Sequence, residues 1–415
     1  IRDIGVTGVQ TCALPIYGSA EDPADAFGQT AFSDAMLLHG AGDLDAIGFA
    51  EALERLAIDL NVYTGGTHTF VELATHTDHL EVALDLLATC MLQPTFDPSE
   101  VERARELRLG DIKQDLDNPR AIADQVMDRL YYGADHPLSH PVDGTLSAVE
   151  KVDTDALQAS WNRRLSANRI SFMVAGDIST TDFLAAIDQR FGAIPSQTDP
   201  PAAIPAPAGV SEGPRLALVD HPDAAQSVLL VVMPGWKIDD PDRIAARLGT
   251  VVLGGTFTSR LNRLMREEKA YTYGARSSLV IRPEHGLTVA ASAVQRASTA
   301  TAVLDLLGEM KRIGEGITEV EAGKASSSVI TDVVEAMGSR EGIVNAFGSL
   351  QEDGQSPNQL AEDLVTIKTV THSDMGTAMA KLDQNAAMVV VVGDVATIQA
   401  PLKDAMGQEW ELIAK

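Results

Sequence analysis

Cysteine is nearly absent from this chain. Cys12 and Cys90 are the only two in 415 residues, enough for at most one bridge and too few for a thiolate metal cluster. Basic residues are also scarce: 32 Lys and Arg face 59 Asp and Glu, a formal charge of −27. That argues against nucleic acid or an anionic membrane surface as a partner, because both are held by clustered Lys and Arg that displace counterions. Nowhere do about 18 apolar residues run without a charge or a helix breaker, so no membrane insertion is expected. What is present, 45% hydrophobic and 22% charged residues, is the composition of a folded globular protein. Single cores stop growing near roughly 250 to 300 residues, so a chain of this length is expected to form two domains.

Residues 1–16 (IRDIGVTGVQTCALPI) follow neither a helical nor a strand period and resemble translated sequencing-adapter sequence. They are expected to be a non-native leader outside the fold. Residues 195–214 hold six prolines and few large apolar side chains, which favours an extended linker. This division gives a first domain, 17–194, and a second, 215–415.

The two pieces look like copies of one another. Ile170–Asp177 (ISFMVAGD) reads as a buried strand ending in Gly-Asp, and Ala387–Asp394 (AMVVVVGD) repeats it 217 residues on (394 − 177). Leu84-Asp-Leu-Leu87 recurs as Leu304-Asp-Leu-Leu307 at an offset of 220. Two matches in order at nearly one offset imply duplication. Hydrophobic periodicity predicts strands at 60–63 and 69–74 and helices at 78–91 and 98–117 in the first copy. In the second it predicts strands at 215–219, 227–232, 270–280 and 286–293, with helices at 240–253 and 299–312. Adjacent strands with short turns imply antiparallel pairing, so each domain is expected to be an α+β sandwich, an antiparallel sheet with helices on one face. The first copy enters a helix soon after Tyr17, so its opening strands are expected to be missing.

The segment from Leu253 to Gly274 (LGGTFTSRLNRLMREEKAYTYG) combines a glycine turn, a Ser-Arg-Leu helix and an Arg-x6-Tyr pair. It resembles the second-domain signature of the insulinase/pitrilysin family of zinc peptidases. The likeness extends to Tyr17–Pro195, which resembles the family's first domain, Gly144-Thr145 and the Gly176-Asp177 strand end included. On that resemblance Arg266 and Tyr273 are the substrate-binding pair. A guanidinium is a fixed fork of donors and a phenol a directional one, and both suit a carbonyl or a developing oxyanion. Taken without the family, Arg266 is a helix-terminal cation and Tyr273 a half-buried strand residue.

The family's catalytic half carries H-x-x-E-H on a helix, two His on one face and a Glu that activates metal-bound water, with a distant Glu completing the ligands. In this sequence Ala31 and Ala35 stand at the two His positions, Asp34 at the general base and Asp111 at the distal Glu. Alanine offers no lone pair, and two carboxylates do not make a three-ligand zinc site; no metal is expected here. His76 and His79 (HTDH), and His136 and His140 (HPLSH), read as surface or loop histidines. Cys90 reads as core filler. Gly254-Gly255 lacks the Lys-Ser/Thr of a phosphate loop and reads as a tight turn.

The resemblance therefore implies a non-catalytic half of a zinc peptidase, inactive alone. Its Arg/Tyr pair would serve a partner subunit or half that bears HxxEH and the zinc, with unfolded peptides as substrate, laid along a sheet edge. It also implies a periplasmic or secreted location. The alternative is a structural subunit without a protease role, like the core subunits of a respiratory complex.

Overall fold

The structure, a computed structural model, describes residues 8–15, 17–197, 204–207 and 215–414. Its first elements are β1 (Gly8–Pro15), α1 (Gln29–Ala35), α2 (Ala46–Arg55), β2 (Asp59–Thr64), β3 (Thr69–His76), α3 (Leu80–Leu92), α4 (Pro98–Asp117), α5 (Pro119–Tyr132), α6 (Leu146–Val149), α7 (Thr154–Arg164), β4 (Ile170–Gly176) and α8 (Thr180–Phe191). Then follow β5 (Arg215–Asp220), β6 (Gln226–Pro234), α9 (Arg243–Thr250), α10 (Arg260–Asn262), β7 (Ala275–Ile281), β8 (Gly286–Gln295), α11 (Thr299–Arg312), α12 (Glu319–Ala336), α13 (Arg340–Glu352), α14 (Gln359–Thr369), α15 (His372–Met379), β9 (Met388–Gly393), α16 (Val395–Met406) and β10 (Glu411–Ile413).

Helix starts are written locally. Asp45, Asn118, Asp153, Ser179 and Ser339 each accept a first-turn backbone N–H, and Thr371 forms a reciprocal capping box with Asp374. Each such cap contributes about 1 kcal/mol.

The chain forms two compact units. One contains residues 1–113, 140–204 and 335–355; the other contains 114–139, 205–334 and 356–415. The first carries a four-stranded antiparallel sheet in the order β2-β3-β1-β4. The second carries six strands in the order β10-β5-β9-β6-β8-β7. Its β10–β5 and β5–β9 pairs are parallel and the others antiparallel. The strand run β4-β1-β3-β2 thus reproduces β9-β6-β8-β7. Corresponding strands and helices, from β1/β6 to α5/α13, start between 214 (243 − 29) and 221 (340 − 119) residues apart. The mixed helix-and-sheet architecture with two homologous units is the expected one.

Three expectations are corrected. Gly8–Pro15 does not stand outside the fold as part of a leader: it is a strand paired on both sides, with Val9, Cys12 and Ala13 buried. It takes the place of one opening strand that was expected to be missing. The reason is non-local, since strand formation here is decided by insertion between β3 and β4 and not by an alternating pattern within the segment. The domain boundary also moves. Residues 114–139 belong with the second unit and 335–355 with the first, so neither unit is a continuous stretch. Finally, the sheets are covered on both faces. In the second unit α9, α11, α15 and α16 cover one face through Leu229, Val231, Val389 and Val391, while α5 covers the other through Leu230, Val232, Val390 and Val392. That double burial is why β9 reads as an unbroken apolar run. In the first unit α13 packs on β1 and β4 through Val344 against Cys12, Met173 and Ala175. Most of the expected linker, 195–214, lies outside the described residues.

Candidate functional site

The groove that holds the Arg/Tyr pair is built by the second unit alone. Helix α9 runs into a wider π-type turn, Val251–Gly255, which ends at the glycine pair. A Cβ on Gly254 would lie 2.3 Å from the Ser277 backbone nitrogen, so only glycine lets this turn approach β7 so closely. Asn262 then ties the loop together: its Nδ2 donates to the Thr256 carbonyl at 3.0 Å, and its Oδ1 accepts the Ala275 N–H at 2.9 Å. Arg266 lies in a second π-type turn, Arg263–Glu268, a local geometry found often at functional positions. Its Cζ sits 4.4 Å from the centre of the Phe257 ring, which holds the guanidinium by cation–π attraction.

Tyr273 differs from expectation. It lies two residues before β7, not on a strand, and is 90% exposed. Ala270 takes a left-handed backbone with φ 53°, and the Thr272 hydroxyl closes a small loop by accepting from the Gly274 N–H and donating to the Gly274 carbonyl. The phenol is thereby presented outward and not packed. Arg266 and Tyr273 line one cavity of ≈ 610 Å³, together with Phe257, Asn262, Arg276 and Arg120. Arg120, from the first turn of α5, was not anticipated from the sequence, nor was Arg276. Their residue types carry no signal until the fold brings them there.

The corner where the resemblance would place a metal is built differently. Ala31 is buried on α1. Asp34 is fully buried, its Oδ1 2.6 Å from Arg164 Nη2, its Oδ2 accepting from the Thr64 and Thr69 hydroxyls at 2.9 and 2.7 Å. Arg164 in turn stacks over Trp161 and Tyr17, and burial pushes the Tyr17 phenol up to about 12. Two more guanidinium groups, Arg105 and Arg108, lie 5.4 and 5.3 Å from the centre of the Phe32 ring. Arg108 donates to the Ala31 carbonyl at 3.0 Å and pairs with Asp143. Asp111 is exposed on α4. These residues do not fit a divalent cation: Ala31 and Ala35 have no donor atoms, Asp34 is committed to Arg164, and the guanidinium groups of Arg105 and Arg108 lie close by. Among the described residues no cluster of three or more His, Cys, Asp or Glu could hold a metal.

The other candidates have protein partners, and His136, expected at the surface, is buried. His76 Nδ1 accepts the Asp78 N–H, and the His76 and His79 rings are 6.2 Å apart. His136 Nε2 lies 2.9 Å from the Pro205 carbonyl, while its Nδ1 accepts the Leu138 N–H. His140 stacks on Phe27. Cys90 is buried, donates to the Leu87 carbonyl, and is pushed up to about 12 by burial, as is Cys12. Neither is a reactive thiolate. No helix among the described residues is long and apolar enough to cross a membrane.

A duplicated α+β unit with an Arg/Tyr groove in its second copy defines an insulinase-like peptidase fold. Residues 8–141 match the family described as insulinase (peptidase family M16), and residues 151–328 match the one described as peptidase M16 inactive domain. The chain belongs to peptidase family M16. It is 28% identical over 320 residues to an uncharacterized zinc protease of Mycobacterium tuberculosis, covering 75% of this chain and 71% of that one. It is 24% identical over 240 residues to a Helicobacter pylori protein named a non-peptidase homolog, covering 57% and 54%. The crystal structure of a peptidase M16 inactive domain from Pseudomonas fluorescens superposes with a TM-score of 0.86 at 22% identity, covering 94% and 93%. Relatives named as proteases and as non-peptidases both occur, so the residues of this chain must decide its chemistry.

Proposed function

We propose that this chain is the non-catalytic half of an M16 zinc peptidase. It binds unfolded peptide through Arg266 and Tyr273 and carries no catalytic zinc of its own. The metal and its general base come from an HxxEH-bearing partner, either a separate subunit or another half of a longer chain. The observation that carries the reading is an asymmetry: Tyr273 stands 90% exposed beside Arg266 in an open groove, while Asp34 is buried against Arg164. In that role the pair orients a peptide carbonyl and donates to the oxyanion formed when the partner's water attacks. A periplasmic or secreted location belongs to the same proposal.

The name of the Helicobacter relative favours a second reading, a structural subunit without a protease role. An exposed tyrosine and a half-buried arginine lining one cavity speak against it, because both keep hydrogen-bond donors available to a ligand.

The test is elemental analysis of the purified chain, then cleavage of a quenched-fluorescent peptide by the chain alone and with the HxxEH partner. We expect no stoichiometric zinc, no turnover alone, and turnover on mixing. Tyr273→Phe in the mixture should lower turnover by roughly 10²- to 10³-fold, the usual effect of losing a preorganised oxyanion donor. Turnover within twofold of the unaltered complex would remove Tyr273 from the mechanism and leave the structural reading.

A further inference from the structure

Two cavities among the described residues of the second unit handle their charges in opposite ways. The larger, of ≈ 770 Å³, mixes Arg260, Arg263 and Arg312 with Asp305, Glu309 and Glu321. It neutralises itself: Arg260 forms ion pairs with Glu321, and Arg312 with Glu309. The groove of Arg266 and Tyr273 contains three arginines, Arg120, Arg266 and Arg276, and not one Asp or Glu among its lining residues. In a chain with 59 acidic and 32 basic residues, such a lining is the reverse of the composition around it.

Two of the three cations are held by side-chain contacts, and the third is directed by its strand. Arg266 is stacked on Phe257. Arg120 forms an ion pair with Asp124 through its Nε at 2.9 Å, which leaves its terminal Nη donors for a ligand; Asp124 does not line the groove. Arg276 stands opposite Ala291 in the β7–β8 register, so its side chain leaves the same face of the sheet as Ala291, another lining residue. Among the described residues neither Arg266 nor Arg276 has an acidic partner. Guanidinium forks with open donors recognise carboxylates in bidentate fashion, and a cationic recess focuses an anion even on an acidic protein, because the overall repulsion is screened beyond about 8 Å at physiological salt.

We propose that this groove is an anion subsite, in which Arg276 and Arg120, beside Arg266, receive a carboxylate of the bound peptide and bias the chain toward acidic segments or free C-termini. The inference rests on the reading that the groove binds peptide, and names the class of peptide it takes.

Isothermal titration calorimetry on the full chain tests it with four unstructured peptides, an alternating Ala–Glu sequence and its Ala–Gln counterpart, each with a free or an amidated C-terminus. A charge-assisted bidentate contact implies about a tenfold preference for at least one carboxylate form over the fully neutral peptide. Tighter binding of both Ala–Glu forms identifies side-chain carboxylates, and tighter binding of both free-acid forms identifies the C-terminus. Arg276→Gln and Arg120→Gln together should bring the preference to about one, whereas Arg263→Gln, in the other cavity, should leave it intact. Equal binding of all four peptides, or a preference that survives the double substitution, overturns the subsite while peptide binding stands. No binding of any peptide overturns the peptide-binding reading of the groove and the subsite with it.

Discussion

The two copies put their arginines to different uses. In the first unit the corner around α1 folds Arg164 inward against Asp34, with both side chains fully buried, and lays Arg105 and Arg108 on Phe32. In the second unit the groove at the start of β7 leaves Arg266, Arg276 and Tyr273 open to a ligand. The same fold therefore holds one corner closed by internal pairing and one left available. Pairing of this kind contributes to structure but removes a group from chemistry. The availability of a donor, more than its presence, marks the region that binds.

The comparison can be broken most forcefully at the closed corner. Arg164→Leu leaves the Asp34 carboxylate buried and unpaired, which should cost about 3 to 5 kcal/mol in urea unfolding. Combining it with Asp34→Leu should recover much of that loss. A cost below about 1 kcal/mol would mean that the corner is hydrated and the contrast false. Next in size is Gly254→Ala, whose new methyl would meet the Ser277 backbone; about 1 to 3 kcal/mol is expected, the range for overpacking a tight site. A silent Gly254→Ala would show that the turn yields to a methyl group without cost.

Two carboxyl groups of the second unit sharpen the comparison through pH, with opposite signs. Burial, with Asp124 beside it, pushes Asp128 up to about 7. The folded state then holds this proton more tightly than the unfolded chain, so its contribution is complete below about 3.8 and is lost as pH rises to about 7. Asp128→Asn should raise the unfolding midpoint at pH 8 and leave it nearly unchanged at pH 4. The hydrogen bond from Arg260, with those from Thr318, holds Glu321 down near 2 despite partial burial. Its stabilisation is present above about 4.5 and is lost as pH falls toward 2, a loss that Glu321→Gln should abolish. The smallest effect belongs to the open groove: Tyr273→Phe should change stability by less than about 0.5 kcal/mol, as befits an exposed side chain. A larger loss would make Tyr273 a structural residue.

How much of this was legible in the sequence depends on how local the signal is. The Leu253–Gly274 segment carries its glycines, Asn262, Arg266 and Tyr273 within one short stretch, so the groove's centre could be read directly. Duplication was legible because repeated strings preserve their offset. Arg120 was not, since it lies 146 residues (266 − 120) before Arg266 and reaches the groove only through the packing of α5. The Asp34–Arg164 pair spans 130 residues (164 − 34), and nothing in either local pattern signals it. Strand β1 is illegible for the same reason: its neighbours β3 and β4 lie far along the chain. Periodicity identifies long helices, but it does not say which sheet a helix covers, so the placement of α5 and α13 is not legible in the sequence.

The placement of α13 has a consequence for how the protein is made. Chains leave the ribosome from the N-terminus, and domains ordinarily fold as they emerge. The first unit cannot do so in that order. Its sheet is complete once β4 has been synthesised, yet the helix that covers Cys12, Met173 and Ala175 is encoded at residues 340–352. Until that point the nascent first unit presents an uncovered apolar sheet face, an opening for chaperones. The second unit has its covering helix, α5, in hand before its first strand appears.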